Sequence, residues 1–179
     1  MDSIGGGLST AFLYVLAAAL MFGIPLMTLS SNNDDIAQLA VQAETQSFVD
    51  NVGKTGVVTE ADYAAFEQAV SADGNAKEIE MQIGVLDENP GKKVTQANAT
   101  KYGENVYYYT YTSQNRDLLR TNGEILLNQG SEFAVSVKNK YPTLGDTFNN
   151  FFYSVPQSAA YSIAAQASTI VKVNGDLSS

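Results

Sequence analysis

The stretch Leu8 to Leu29, LSTAFLYVLAAALMFGIPLMTL, holds no charged residue, and a helix that is apolar on every side must be surrounded by other apolar matter. At about 1.5 Å per residue it would be roughly 33 Å long, close to the hydrocarbon thickness of a bilayer at about 30 Å. Length and apolarity therefore predict a membrane-spanning N-terminal helix over residues 1–30. A secretory signal peptide fits less well, because such peptides open with a basic segment and carry an apolar core of about 7–15 residues. Here Asp2 is the only charge ahead of the stretch, and the first basic residue is Lys54. A core helix buried within one domain is the remaining alternative, and 179 residues leave little protein to enclose it.

Within the stretch, Gly23 and Pro25 predict a kink or a locally loosened turn, since proline removes one helical hydrogen bond. Neighbouring helices can satisfy the freed carbonyl, and the small residues Ala17 to Ala19 permit close approach. The packing surface expected from this is Leu8, Phe12, Val15, Leu16, Ala19, Leu20, Phe22, Gly23, Pro25 and Leu26. No lysine or arginine flanks the stretch, so charge does not orient it. The short N-terminal flank and the Asn98-Ala99-Thr100 sequon point to a single-pass cell-membrane protein, its C-terminal part outside or carried on an extracellular filament.

Composition narrows the rest. Nineteen acidic against ten basic residues and a net charge of −9 repel phosphate, so nucleic acid is not an expected partner. The chain has no cysteine, histidine or tryptophan. Disulfides, thiolate metal sites, serine-histidine triads and histidine-zinc sites are excluded by that inventory.

Beyond the polar break Ser30 to Asn33, apolar residues recur at helical spacing: Ile36, Leu39, Ala40 and Ala43 on one stripe, Val41, Phe48 and Val52 on another, ending at Gly53. This predicts an amphipathic stalk over 31–56, either continuous with the first helix or separated from it at Ser30 to Asn33. Residues 57–179 form the expected head. Thr59 caps a helix through Tyr63, Phe66 and Val70 to Gly74. Ile79, Met81, Ile83 and Val85 alternate with polar residues as a strand, which Asn89-Pro90-Gly91 ends. Lys92 to Glu104 reads as a surface loop, and Asn105 to Thr112, rich in tyrosine, as a second strand. Ser113 is expected to cap a helix running through Leu118, Leu119, Ile125 and Leu126 to Gly130. Phe133, Val135 and Val137 mark a third strand, Leu144 to Phe152 a short helix or packed loop, and Ala160 to Val173 a last strand. The sum is an α+β fold: an N-terminal transmembrane helix, an amphipathic stalk and a small antiparallel-sheet head.

No catalytic constellation emerges, so no enzyme activity and no cofactor are expected. Glu78 with Glu80, and Asp87 with Glu88, lack the spaced ligands of a calcium loop and read as a solvated acidic face. Gly5-Gly6-Gly7 precedes a helix rather than following a strand, so it is not a phosphate-binding loop.

The apolar N-terminal helix, its amphipathic continuation and the α+β head resemble type IV pilin-like proteins, in particular pseudopilins of tight-adherence (Tad) and conjugation-type clusters in Gram-positive bacteria. The segment Phe48-Val49-Asp50-Asn51-Val52-Gly53-Lys54-Thr55-Gly56, continuing through Thr59-Glu60-Ala61-Asp62-Tyr63 to Ile79-Glu80-Met81, carries the likeness, and Ser131 to Thr147 is similar more loosely. The leader MDSIGGG lacks the basic residues usual in that family, and Phe12 stands where a cleaved pilin would carry glutamate. The resemblance implies a minor pilin or pseudopilin that packs through its N-terminal helix with itself or related pilins and contacts membrane lipid. A membrane-tethered module that binds a ligand or a protein is the alternative.

Overall fold

The computed structural model describes residues 3–86, 107–143 and 164–176, with the backbone alone for 3–9, 19, 27, 30, 31 and 164. The turn at Asn89 to Gly91, the acidic pair Asp87 and Glu88, the loop with the Asn98 sequon and the segment Leu144 to Phe152 lie outside the described residues. One long helix, α1 (Ser3–Thr55), opens the chain with Pro25 inside it. It continues unbroken through Ser30 to Asn33, so stalk and apolar stretch are a single element. A short strand β1 (Val57–Thr59) leads into α2 (Glu60–Val70), and β2 (Lys77–Leu86), β3 (Tyr107–Thr110), α3 (Thr112–Asn122), β4 (Glu124–Leu126), β5 (Glu132–Asn139) and β6 (Ala164–Ile170) follow.

Among the described residues no helix is long and apolar enough to cross a membrane. This corrects the expected transmembrane helix over residues 1–30, and with it the expected single-pass cell-membrane placement with the head outside. The reason lies in the extent of α1. The apolar run has no end of its own, since the same helix continues into Asn32, Asn33, Asp34 and Asp35. What reads in sequence as a separate span is the front of one longer helix whose rear is docked.

The docked rear buries one face. Val41, Thr45, Phe48, Val49 and Val52 recur at steps of three and four and are all buried, the spacing that puts side chains on one side of a helix. Thr45 is tolerated there because its hydroxyl donates back to the carbonyl of Val41 at 2.7 Å, which satisfies a buried polar group locally. Phe48 stacks on Phe66 of α2 with ring centroids 4.5 Å apart and meets Phe133 of β5 edge-on at 5.8 Å. One ring thus joins three elements in the core.

The main sheet has the order β3-β2-β5-β6, antiparallel throughout. Along β2 and β5 the side chains alternate: Ile79, Met81, Ile83, Phe133, Val135 and Val137 are buried, while Glu78, Glu80 and Lys138 take the wet face. On β6 the core positions are the small residues Ala165 and Ala167, which let α1 lie close. At Gly53 a Cβ would come within 2.8 Å of the Thr169 side chain.

The expected helix from Ser113 to Gly130 is shorter than its apolar spacing suggests. Helix α3 stops at Gly123, which is left-handed (φ 79°) and donates its N–H to the carbonyl of Leu119, a glycine C-cap. Glu124 to Leu126 then pair antiparallel with Val57 to Thr59. Gly56 (φ 69°) turns the chain from α1 into β1. Its carbonyl accepts from Leu127 N at 2.7 Å, Leu127 O accepts from Gly175 N at 2.8 Å, and Gly53 O accepts from Lys172 N at 2.9 Å. These bonds lace the C-terminal stretch to the end of α1.

Candidate assembly surface

The residues expected to pack against other helices occupy the front of α1, ahead of the docked face. Phe12, Val15, Leu16, Leu20, Phe22 and Leu26 are exposed, together with Leu13, Tyr14, Met21, Ile24 and Leu29. Gly23 is half-buried and Pro25 exposed; for Leu8 and Ala19 the described structure is backbone only. The five consecutive residues Phe12 to Leu16 are between 45% and 73% exposed. Five consecutive residues cover more than one helical turn, so the apolar surface runs all round the rod. Ile36 and Leu39, at 66% and 70% exposed, extend it toward the head, and burial begins at Ala37 and Val41.

Thr28 Oγ1 donates to the carbonyl of Ile24 at 3.1 Å, a bond within the helix. Pro25 has no N–H to offer the carbonyl of Met21, which leaves that acceptor for a neighbour. At the base of the rod Asp34 accepts from Thr143 Oγ1 at 2.6 Å, tying α1 to the chain that follows β5.

The head offers three further features. An open groove of about 770 Å³ lies between α1 and α2, with Phe48 and Phe66 at its floor and Glu44, Asp50 and Asp62 at its rim. Tyr108, Tyr109 and Tyr111 are exposed at the β3 end of the sheet, and Tyr109 donates to Glu132 at 2.8 Å. That bond, with burial and the surrounding negative charge behind it, raises the Tyr109 hydroxyl above its ordinary pKa. Glu78 and Glu80 hold Lys138 between them at 3.6 and 3.1 Å, so this acidic pair is engaged by a cation from β5. Among the described residues no group of three acidic side chains is arranged to hold a metal ion.

Sequence reasoning missed two features. Strand β1 is three residues long and ends in the helix cap Thr59, too short for a period to show. The buried contact of Lys77 with Asn139 joins residues 62 apart in the chain, which no local pattern reveals. No family model, no curated protein and no solved structure matches the chain, so the resemblance to pilins rests on the segment Phe48 to Met81, the looser likeness of Ser131 to Thr147 and the order of elements.

Proposed function

We propose that this protein is the structural subunit of a type IV pilus-like filament, assembled through the front of α1 with other copies of the chain or related pilin-like subunits. The observation that carries the reading is the all-round exposure of Phe12 to Leu16 on a rod that continues unbroken into the part of α1 docked on the head. A one-sided apolar stripe would suit a dimer, whereas a rod apolar on every side needs neighbours on every side. Burying half of the eleven large exposed side chains between Phe12 and Leu29 would contribute on the order of 10 kcal/mol per subunit. The carbonyl of Met21, which has no N–H of Pro25 to accept from, gains a partner in such a bundle.

The test is negative-stain electron microscopy and sedimentation of the full-length chain, beside Val15→Glu and Phe22→Glu. Filaments of constant diameter from the unsubstituted chain, and dispersed subunits with an unchanged circular dichroism spectrum from both variants, are the expected result. A monomeric unsubstituted chain at high concentration would overturn the proposal.

A further inference from the structure

Lys77 opens β2 and Asn139 closes β5, and the antiparallel register sets them directly opposite one another. The Lys77 side chain is 0% exposed and so is Asn139. Lys77 Nζ lies 2.6 Å from Asn139 Oδ1 and 2.6 Å from Asp73 Oδ2. Asn139 Nδ2, the other half of the same carboxamide, is buried with no hydrogen-bond partner among the described residues. A buried amide N–H₂ without an acceptor costs free energy, and a buried ammonium held by one carboxylate is itself an expensive arrangement. Asp73 is fixed from behind: Asn75 N donates to its Oδ1 at 3.0 Å and Asn75 Nδ2 to its Oδ2 at 3.1 Å, across a turn at left-handed Gly74.

We propose that Lys77 and Asn139 react with one another to form an isopeptide bond between β2 and β5, with Asp73 as the catalytic residue that moves the protons. The ionised Asp73 carboxylate takes a proton from the Lys77 ammonium, freeing the lone pair on Nζ. That lone pair attacks Cγ of Asn139, and a C–N bond forms as the carbonyl π electrons move to Oδ1. Asp73 returns its proton to Nδ2, the Cγ–Nδ2 bond breaks, and ammonia leaves as the carbonyl re-forms. The second proton lost from Nζ goes to the departing ammonia, so an ammonium and a carboxamide become a secondary amide and an ammonium ion. No oxidant, metal or nucleotide enters the balance.

The arrangement favours the attack of Lys77 on Asn139. Amine, carboxamide and carboxylate are held together by the sheet register and the Asn75 turn, which converts a slow bimolecular aminolysis into an intramolecular one. Burial pushes the Asp73 carboxyl up, and its bonds to Lys77 and Asn75 outweigh that, so its pKa lies below the ordinary value. The carboxylate is therefore in the form that accepts a proton at neutral pH. The product has neither the buried charge nor the orphaned N–H₂, and loss of ammonia to solvent makes the step irreversible. This inference does not rest on the filament reading.

Intact mass spectrometry of the full-length folded protein, after incubation at mildly alkaline pH, tests it, with tandem mass spectrometry of a digest. The expected result is a mass one ammonia below that of the sequence, a branched peptide joining Lys77 to Asn139, and the full sequence mass in Lys77→Arg, which keeps the positive charge. Asp73→Ala, with a native circular dichroism spectrum, is expected to retain most of its ammonia over the same time. A folded chain at full sequence mass would overturn the proposal. So would an ammonia loss that maps to a succinimide at Asn122-Gly123 or Asn174-Gly175.

Discussion

Asn115 shows how single side chains replace missing strand pairing. Strand β3 pairs with β2 only from Ile83 onward, so the backbone of Met81 needs other partners. Asn115 Nδ2 donates to the carbonyl of Met81 at 3.1 Å, and Thr112 Oγ1 accepts from its N–H at 2.8 Å. Asn115 Oδ1 also accepts from Thr110 Oγ1 at 2.6 Å. Asn115→Leu removes the Asn115 partner of the Met81 carbonyl and of Thr110 Oγ1, and is expected to cost about 2–3 kcal/mol in urea unfolding. Tyr63 presents the opposite case. Its hydroxyl is buried without a partner among the described residues, while the Arg116 guanidinium sits 5.5 Å from its ring centre. Burial raises the hydroxyl above its ordinary value of 10.0, against the lowering by Arg116. A raised folded-state value means that its contribution is complete below pH 10.0 and is lost as pH rises above that, because the unfolded tyrosine ionises first. Tyr63→Phe is expected to leave stability at pH 7 unchanged or raise it by up to about 1 kcal/mol, and to flatten the alkaline fall in stability measured by denaturant titration at successive pH values.

Helix α1 is two elements in function though one in backbone. Its rear depends on Phe48, and Phe48→Ala removes a ring that touches both α2 and β5. The expected cost is about 3–5 kcal/mol, read as a lower urea midpoint with the slope unchanged. The joint from α1 to β1 rests on Gly56, where a Cβ would come within 2.6 Å of Gly175 N and Val173 O, at a positive φ that side chains avoid. Gly56→Ala is expected to lose more than about 1 kcal/mol and to speed hydrogen exchange at the Leu127 and Gly175 amides that close the clasp. Local pattern shows α2 well, since Thr59 caps it by accepting from Asp62 N at 3.0 Å, and shows β2 and β5 through their alternation. It fails at β4, because Ile125 and Leu126 keep helical spacing after Leu118 while Gly123 has already ended the helix.

For the whole molecule, a net charge of −9 opposes bringing many heads together, whereas the apolar rods favour it. Raising ionic strength from about 0.01 to 0.15 M shortens the screening length from about 30 to 8 Å. If the rods drive assembly, sedimentation is expected to show larger particles at the higher salt, and Val15→Glu is expected to remove that response.

Sequence alone determined that the front of the chain must be surrounded by apolar matter, that chemistry needing imidazole or thiol is absent, and that an acidic α+β head follows. Those properties live in side-chain type and in periods of two or three to four residues, which a linear chain displays directly. Only the tertiary structure decided that the apolar stretch and the stalk are one helix with a docked rear and a bare front. It also decided that β1 finds β4 across the chain, and that a buried lysine faces an asparagine on the neighbouring strand. Each of these is a pairing between distant residues, fixed by sheet register and by competition among packing partners, which no local period encodes.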